Sequence, residues 1–418
     1  MPLITALKSR IVFNSRGSKT IEIDVITERK YLGRACAPSG ASVGKHEAQS
    51  FPDNSPEKGL QKFNSYANKF VGIDAQNQEA IFEVLRSIDT TATYSIIGGA
   101  IAYALSIAAI DSAAKALETP IFKLLKPGKP YKFPFPLGNI IGGGAHAGPG
   151  TPDIQEILAC PIGARNISQA LEMNFLVHKE VRKVIESIDE RFTYGRGDEG
   201  AWAPNVENDK AIEIAENAVK NCGFKLGKDV SLGIDFASSS LWNEKKKFYE
   251  YARQGIRRDS EEQIDFINRL ITEYKLIYVE DPVHEEDFRN MAIINKKNPG
   301  CLVTGDDLLV TNTQRVKEAA KSKACSGAIL KVNQAGSLYE AIEFAEECSN
   351  SGIRIITSHR SGEATDSHLA HIAIAMESSM LKSGVLGGER VSKLNELLRL
   401  TEYDLIEGMA ELSFIKYE

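Results

Sequence analysis

The sequence has 418 residues, of which 43% are hydrophobic and 25% charged, and is therefore long enough to bury a large core and to form two domains. Its net charge of −6 argues against the basic surface that nucleic acids and anionic membranes attract, and so favours a small-molecule partner. The six scattered cysteines form no CxxC pair and predict reduced thiols in the cytoplasm, and the N-terminus lacks the apolar segment of a signal peptide.

The first part of the chain has the pattern of a mixed α+β domain. The alternating stretches "TIEIDVI" and "YLGRACA" predict two strands that are joined as a hairpin by "TERK". Helical periodicity follows near residues 56–70, 77–88 and 99–117. We therefore predict an N-terminal α+β capping domain over residues 1–130.

One uncharged segment of this domain has the length of a membrane span. Residues Thr91 to Ile110 carry no charge, and about 20 apolar residues suffice to cross a bilayer. The segment nevertheless opens with polar residues, contains Gly98 and Gly99, and continues into Asp111 on an alanine-rich helical pattern. We predict a buried helix of a soluble domain and no membrane span.

A proline-rich stretch, "KPGKPYKFPFP" at residues 126–136, marks the predicted end of the first domain. Beyond it, short apolar runs alternate with helical patterns, which indicates βα units around a parallel sheet. We predict a catalytic barrel domain over residues 131–418.

The predicted strands of this second domain end in chemically active side chains. An interval of 45 residues separates Asp235 from Glu280 and requires extra structure, whereas the later intervals of 26, 25 and 28 residues each suit one βα unit. Because the C-terminal ends of parallel strands open on one face of a barrel, the pattern favours a TIM-type (β/α)8 barrel over a doubly wound sheet. The strand-terminal residues are Asp235, Glu280, Asp281, Asp306, Asp307, Lys331 and His359.

Three of these acids, Asp235, Glu280 and Asp306, come from separate strands. Any one of them alone is more simply explained as the N-cap of the following helix. Three unpaired carboxylates at one barrel mouth, however, would repel one another unless a cation lay between them. Oxygen ligands favour a hard divalent ion, so the set predicts a Mg²⁺ site.

Lys331 ends the next predicted strand and has two interpretations of similar weight. It is either the salt-bridge partner of one of the strand-terminal acids or a general base. A lysine near a divalent cation loses its proton more readily, and the free amine can then accept a proton from a substrate.

The order of several motifs in this chain resembles that of the enolase family. The resemblance extends from "NSRG" at residue 14 to "KLNELLRL" at residue 393. It implies an enolase-type (β/α)8 barrel with an N-terminal capping domain, and the Mg²⁺-dependent dehydration of 2-phosphoglycerate to phosphoenolpyruvate in glycolysis and gluconeogenesis. The motifs are "SGASVGKHE", "GGGAHAGPG", "IQEI", "GDEGAWAPN", "GIDFASS", "VEDP", "TGDDLLVTN", "LKVNQAGS" and "SHRSGE".

The resemblance also implies a role for each matching residue. The first Mg²⁺ is held by the three acids named above, and Ser42, in the lid, joins a second Mg²⁺ that arrives with substrate. Lys331 removes the C2 proton, and Glu199, with Glu156 beside it, protonates the departing C3 hydroxyl. We expect Glu156 and Asp198 to raise the pKa of Glu199. The residues expected to bind substrate are His146 and Glu156, Lys382 and His359 for the carboxylate, and Arg360 and Ser361 for the phosphate.

The motif "SHRSGE" alone would suggest only a strand-to-helix turn with a capping serine. Within the resemblance it is interpreted as an anion clamp, because a planar guanidinium holds phosphate through two hydrogen bonds and the adjacent hydroxyl adds another.

Some loops depart from the enolase pattern: the lid has "GASV" where "GAST" is usual, and "KSGVLGGER" replaces "KTGAPARSER". These departures keep two alternatives open. One is a dehydratase that acts on a related phosphorylated hydroxy acid, and the other is a non-catalytic enolase-fold binding protein. The resemblance further implies a homo-oligomer, either a dimer or an octamer.

Overall fold

The computed structural model of the chain describes residues 1–40, 44–128 and 130–415. The chain begins with an antiparallel sheet whose strand order is β1-β2-β3. The predicted hairpin is confirmed, since β2 and β3 pair from Glu22 with Cys36 to Ile26 with Leu32. The sequence patterns missed β1, because Lys8, Ser9 and Arg10 interrupt its apolar alternation. The strands are β1 (Ile4–Phe13), β2 (Lys19–Thr27) and β3 (Leu32–Cys36).

Helices cover one side of this sheet. The uncharged segment forms a helix that is buried from Gly99 to Ala114, as predicted, and it packs so closely that a Cβ on Gly33 would lie 2.0 Å from the carbonyl oxygen of Ala108. Among the described residues, no helix is long and apolar enough to cross a membrane. The helices are α1 (Pro56–Asn64), α2 (Gln78–Ile88), α3 (Gly99–Ala116) and α4 (Ile121–Leu125).

The rest of the described chain alternates between strands and helices. Its strands are β4 (Tyr131–Phe133), β5 (Phe135–Gly142), β6 (Glu156–Cys160), β7 (Ser231–Asp235), β8 (Trp242–Asn243), β9 (Phe248–Tyr251), β10 (Ile256–Arg258), β11 (Tyr278–Glu280), β12 (Leu302–Gly305), β13 (Gly327–Leu330), β14 (Arg354–Ser358), β15 (Met380–Gly384) and β16 (Ile406–Met409). Its helices are α5 (Gly144–Ala147), α6 (Ile167–Ile188), α7 (Asn208–Asn221), α8 (Ser260–Glu273), α9 (Phe288–Lys297), α10 (Thr313–Ser322), α11 (Val332–Ala335), α12 (Leu338–Asn350), α13 (His368–Ala375) and α14 (Gly388–Arg399).

Eight of these strands close into a barrel in the order β5-β6-β7-β11-β12-β13-β14-β15. The fold class predicted from the sequence, an α/β chain with a TIM-type barrel, is therefore confirmed. The long interval after Asp235 contains the small sheet β8-β9-β10 and α8, which is the extra structure that it requires. The boundary at residue 130 lies between α4 and β4, and the division into two domains there stays a prediction.

One strand runs against the expected parallel order. Strand β6 is antiparallel to both β5 and β7, whereas the other neighbouring pairs of the barrel are parallel. The chain passes from β5 to β6 through a loop that holds only the short helix α5, because an antiparallel neighbour needs no long crossover. As a result Glu156, the first residue of β6, pairs with Asp235 at the end of β7 and lies on the same rim.

The barrel interior is filled by an apolar cluster beneath this rim. Because alternate residues of a strand share a face, Tyr278 lies below Glu280, Met380 below Lys382 and Leu158 below Glu156. The buried ionisable groups named here therefore lie at the end of the barrel where most of its strands terminate.

Candidate active site

A pocket at this rim collects almost all of the residues predicted to be functional. Glu280 lies directly beneath the pocket and is fully buried, whereas Ser42 lies outside the described residues. The predicted residues that line the pocket are His146, Glu156, Glu199, Asp235, Asp306, Lys331, His359, Arg360, Ser361 and Lys382.

Lys382, which was expected to contact the substrate carboxylate, is surrounded by acids. Its Nζ donates to Asp235 Oδ2 at 2.9 Å and to Glu280 Oε2 at 2.6 Å, and lies 3.3 Å from Glu156 Oε2. Burial lowers the pKa of Lys382, but these three carboxylates outweigh that effect and hold it well above its usual value. The ammonium group therefore offsets part of the negative charge that three different strands contribute.

Lys331 forms an ion pair with Asp306, which is the salt bridge considered above for this lysine. Asp306 also accepts a hydrogen bond from Gln334 Nε2 at 3.0 Å. Burial alone would raise the pKa of Asp306, but the Lys331 ammonium lowers it to about 2. Burial lowers and Asp306 raises the pKa of Lys331, and the net shift is upward, so the lysine holds its proton in this state.

The metal prediction assumed unpaired carboxylates, whereas Asp235, Glu280 and Asp306 each have a lysine partner in the structure. The oxygen donors nevertheless fit a hard cation, because Glu280 Oε1 is buried without a hydrogen-bond partner among the described residues. Burial, followed by Asp235, raises the pKa of Glu280 well above its usual value. A cation would therefore relieve an unfavourable charge at this position.

Two groups of possible metal ligands among the described residues differ from the predicted set and have ligand atoms within 4.8 Å of one another. They are Asp281 with Asp306 and Asp307, and His146 with Glu156 and Glu199. Asp281 is poorly suited to bind a cation, because its oxygens accept the backbone N–H groups of Asp306 and Asp307 at 3.1 and 2.7 Å. We therefore assign Asp281 to positioning the strand end that carries Asp306.

A second network surrounds Glu199. Its Oε2 accepts a hydrogen bond from Asn139 Nδ2 at 3.0 Å and lies 3.1 Å from His359 Nε2, whereas Oε1 lies 3.6 Å from His146 Nδ1. His146 Nδ1 also lies 3.3 Å from Glu156 Oε1. The loop that bears Glu199, His146 of α5 and the first residue of β6 thus meet at one point.

The pKa values within this network differ from the expectation for Glu199. Burial, followed by the charge of Glu199, raises the pKa of Glu156. Burial would also raise the pKa of Glu199, but nearby histidines hold it well below its usual value. Burial lowers the pKa of His359 to about 4, whereas carboxylates raise that of His146 to about 8 despite burial. His359 is therefore neutral near pH 7 and His146 is protonated, and of the two carboxyls Glu156 is the one whose pKa is raised.

Asp198, which was expected to raise the pKa of Glu199, points elsewhere. Its Oδ2 forms an ion pair with Arg16 Nε at 3.1 Å, and about a third of the side chain is exposed, at 32%. The Asp198 carboxylate therefore pairs with Arg16.

The predicted clamp lies at the end of β14. Both terminal nitrogens of the Arg360 guanidinium donate to Glu47 Oε2, at 3.1 and 3.2 Å. Ser361 Oγ is buried without a hydrogen-bond partner among the described residues, and the backbone N–H of Arg360 donates to Glu363 Oε1 at 3.0 Å. A buried cation beside an unpaired hydroxyl is suited to bind an anion.

Comparison with known proteins gives a family for this geometry. The sequence profile "Enolase, C-terminal TIM barrel domain" matches residues 130–410, and "Enolase, N-terminal domain" matches residues 4–125. The chain belongs to the enolase family. Enolases in general depend on Mg²⁺, which agrees with the acidic groups at this rim.

Curated enolases from archaea are similar over nearly the full length of this chain. The enolase of Methanosphaera stadtmanae is 43% identical over 98% of this chain and 99% of its own. The enolase of Pyrobaculum aerophilum is 41% identical over 94% and 95% of the two chains, and that of Methanothermobacter thermautotrophicus is 37% identical over 99% of each.

Sequence reasoning missed several polar residues of this enolase-family pocket. Glu47 pairs with Arg360, Gln334 donates to both Glu47 and Asp306, and Asn139 donates to Glu199. Gln155 Nε2 donates to Asp235 Oδ2 at 3.3 Å. Three of these residues lie inside motifs that carried the resemblance, namely Glu47, Gln155 and Gln334. Their position next to residues with an assigned role was the signal that could have identified them.

Proposed function

We propose that this enolase-family chain dehydrates 2-phosphoglycerate to phosphoenolpyruvate, with Lys331 as the base and Glu199 as the acid. The observation that carries these roles is that the two groups enter one pocket through separate networks. Lys331 is held by Asp306 at the β12–β13 side, and Glu199 is held by Asn139, His146 and His359. A base and an acid kept apart can act in sequence without neutralising each other.

The predicted metal ligands are Asp235, Glu280 and Asp306, with Ser42 assigned to a second Mg²⁺ that binds with substrate. When bound, Mg²⁺ supplies positive charge that stabilises the negative charge developing on the substrate carboxylate and offsets the pull of Asp306 on the Lys331 proton. The unpartnered Glu280 Oε1 and the all-oxygen donor set support this assignment.

The proton transfers balance as an elimination of water. The free amine of Lys331 takes the C2 proton, after which the C3–O bond breaks and the leaving hydroxyl takes a proton from the Glu199 carboxyl. The pKa of Glu156 is raised and that of Glu199 is lowered, and His146 contacts both acids. We therefore assign Glu156 to supplying the proton that Glu199 needs before it acts as the acid.

The anionic ends of the substrate have separate contacts in this proposal. Arg360 and Ser361 bind the phosphate, whereas Lys382 and His359 contact the carboxylate and His146 closes over the pocket. Binding of phosphate to Arg360 competes with the carboxylate of Glu47, which holds that guanidinium in the structure.

Two alternative functions remain for the chain. One is a reaction on a related phosphorylated hydroxy acid, which the altered loop before Arg390 supports. The other is that of a non-catalytic binding protein, and the presence of Lys331 and Glu199 argues against it because such a protein would not need them. The cytoplasmic location and the homo-oligomeric state, a dimer or an octamer, remain predictions.

A direct assay tests the proposed reaction. Phosphoenolpyruvate absorbance should rise when 2-phosphoglycerate and Mg²⁺ are added, stop with a chelator and resume with excess Mg²⁺. The Lys331→Ala protein is the control for contaminating activity. Absence of turnover by folded protein with bound metal would rule out 2-phosphoglycerate, and related phosphorylated hydroxy acids would then be assayed in the same way.

A further inference from the structure

Arg390 connects the two halves of the pocket from behind. It lies in the first turn of α14 and is fully buried at 0% exposure. One terminal nitrogen donates to His359 Nδ1 at 2.9 Å and to the carbonyl oxygen of Arg360 at 2.5 Å. The other donates to the carbonyl oxygens of Ser361 at 2.7 Å and Asp198 at 3.1 Å.

We propose that Arg390 is a positioning residue that determines which nitrogen of the His359 ring carries the proton. In this proposal it also holds the clamp at a fixed distance from the loop that bears Glu199. The inference rests on the proposed function, in which His359 contacts the substrate carboxylate. Arg390 itself lies behind His359 and touches no substrate atom in that scheme.

The ring assignment follows from what a guanidinium can do. Arginine donates and never accepts, so the ring nitrogen facing Arg390 must carry a lone pair. The backbone N–H of Gly384 also points at His359 Nδ1, at 3.3 Å, and it too can only donate. Two donors on Nδ1 leave the proton of a neutral ring on Nε2.

The Nε2–H group is then directed into the pocket. It lies 3.1 Å from Glu199 Oε2 but is not aligned as a hydrogen bond, and among the described residues it has no hydrogen-bond partner. A buried donor without an aligned acceptor can bind an anionic substrate group at little cost. The low pKa of His359, caused by burial and then lowered further by Arg390, agrees with a neutral ring.

The contacts of Arg390 also explain why a guanidinium occupies this position. Its planar fork reaches one ring nitrogen and three backbone carbonyls at once, which the single ammonium of a lysine cannot match. The carbonyls belong to the clamp residues Arg360 and Ser361 and to Asp198, the neighbour of Glu199. A single side chain therefore sets the distance between the anion clamp and the acid.

Lys393 provides a matched control on the same helix. It is also buried, at 2% exposure, and its Nζ donates to the carbonyl oxygens of Ala364, Asp366 and Glu389. Lys393 makes no contact with His359 in the described structure. Loss of a buried cation from α14 can thus be separated from loss of the contact to the ring.

The test is nitrogen NMR of protein labelled at its seven histidines, without substrate at pH 7.5, with His359→Gln to assign the His359 signals. The unaltered protein should show a bare Nδ1 and a protonated Nε2. Arg390→Met should add a population protonated on Nδ1, whereas Arg390→Lys, which still presents only donors, and Lys393→Met should leave the ring unchanged. In the assay, both Arg390 variants should lose roughly tenfold to a hundredfold in kcat/KM.

A protonated Nδ1 or a doubly protonated ring in the unaltered protein would overturn the proposal, whether or not any variant folds. An unchanged ring in folded Arg390→Met would also overturn it. The ring measurement needs no turnover, so an inactive protein with the expected ring would contradict the proposed reaction and leave the assignment of His359 standing.

Discussion

Buried charged side chains in the pocket form ion pairs with partners of opposite charge. Each ion pair restricts which substitutions its two residues tolerate. Lys382 is paired with acids from separate strands, Lys331 with Asp306, and Arg360 with Glu47. Removing one partner from such a pair leaves a desolvated charge and costs several kcal/mol, typically 3–5. Substitutions that preserve charge or shape are therefore more informative here than truncation to alanine.

Arg360→Lys should raise KM for 2-phosphoglycerate by roughly tenfold or more while kcat changes less. The lysine keeps the positive charge opposite Glu47 but loses the fork that binds phosphate through two hydrogen bonds, and a hydrogen bond to a charged group contributes about 1.5–3 kcal/mol. Steady-state kinetics and inhibition by inorganic phosphate measure the effect, and phosphate should compete less well.

Arg315→Lys is the control for this substitution. Arg315 is also largely buried, but it donates to the carbonyl oxygens of Leu308 and Glu285, outside the pocket lining. An unchanged KM in Arg360→Lys would mean that its guanidinium does not contact the phosphate.

At the scale of elements, one reversed strand places a pocket residue, and one set of ion pairs joins the strands of the N-terminal sheet. The reversal of β6 brings Glu156 to the rim beside Asp235. In the N-terminal sheet, Asp24 of β2 is buried between two arginines: Arg34 lies opposite it on β3, and Arg10 reaches it from β1. These pairs tie the edge strands to the central strand.

Asp24→Asn should destabilise the protein by about 1–2 kcal/mol at pH 7, after allowance for the half-exposed Arg34. Burial raises the pKa of Asp24, but Arg34 and then Arg10 outweigh it and lower the pKa from 3.8 to about 2. Because the pKa of Asp24 is lower in the folded than in the unfolded state, its negative charge stabilises the fold at pH values above the unfolded-state pKa. This stabilisation is lost as the pH falls from about 4 towards 2.

Urea unfolding of both proteins at pH 7, 5 and 3 checks this prediction. The difference in the free energy of unfolding should be equal at pH 7 and 5 and about half as large at pH 3. A difference that stays constant down to pH 3 would show that the asparagine acts through packing and not through lost charge.

At the scale of the whole molecule, the sequence predicted the barrel because its strand ends carry chemistry at βα spacing. Prediction from the sequence failed for features that the local residue pattern does not determine. The direction of β6 depends on a short loop, and the pairing of Lys382 with Asp235 and Glu280 joins residues more than a hundred positions apart in the chain. The pKa of Glu199 depends on histidines brought in by two other segments.

Mg²⁺ should stabilise the whole fold if the assigned acids bind it. Saturation at a hundred times Kd adds about 2.7 kcal/mol, so Tm should rise by a few degrees and fall again with chelator. Glu280→Gln should abolish the Mg²⁺-dependent rise. Asp111→Asn, which alters an acid paired with Lys115 away from the pocket, should keep it. Calorimetry would contradict the assignment if Glu280→Gln retained the full shift.

The separation of Lys331 from Glu199 is tested most directly by proton NMR of 2-phosphoglycerate in D₂O with Mg²⁺. The unaltered enzyme should exchange the C2 proton with solvent and form phosphoenolpyruvate. Lys331→Ala should lose both exchange and turnover, because no other group is assigned to take the C2 proton.

Glu199→Gln should lose turnover by roughly 10² to 10⁴, the usual contribution of general acid catalysis, while the C2 proton continues to exchange. Exchange that survives in Lys331→Ala, or that disappears in folded Glu199→Gln, would contradict the assignment of the base and the acid.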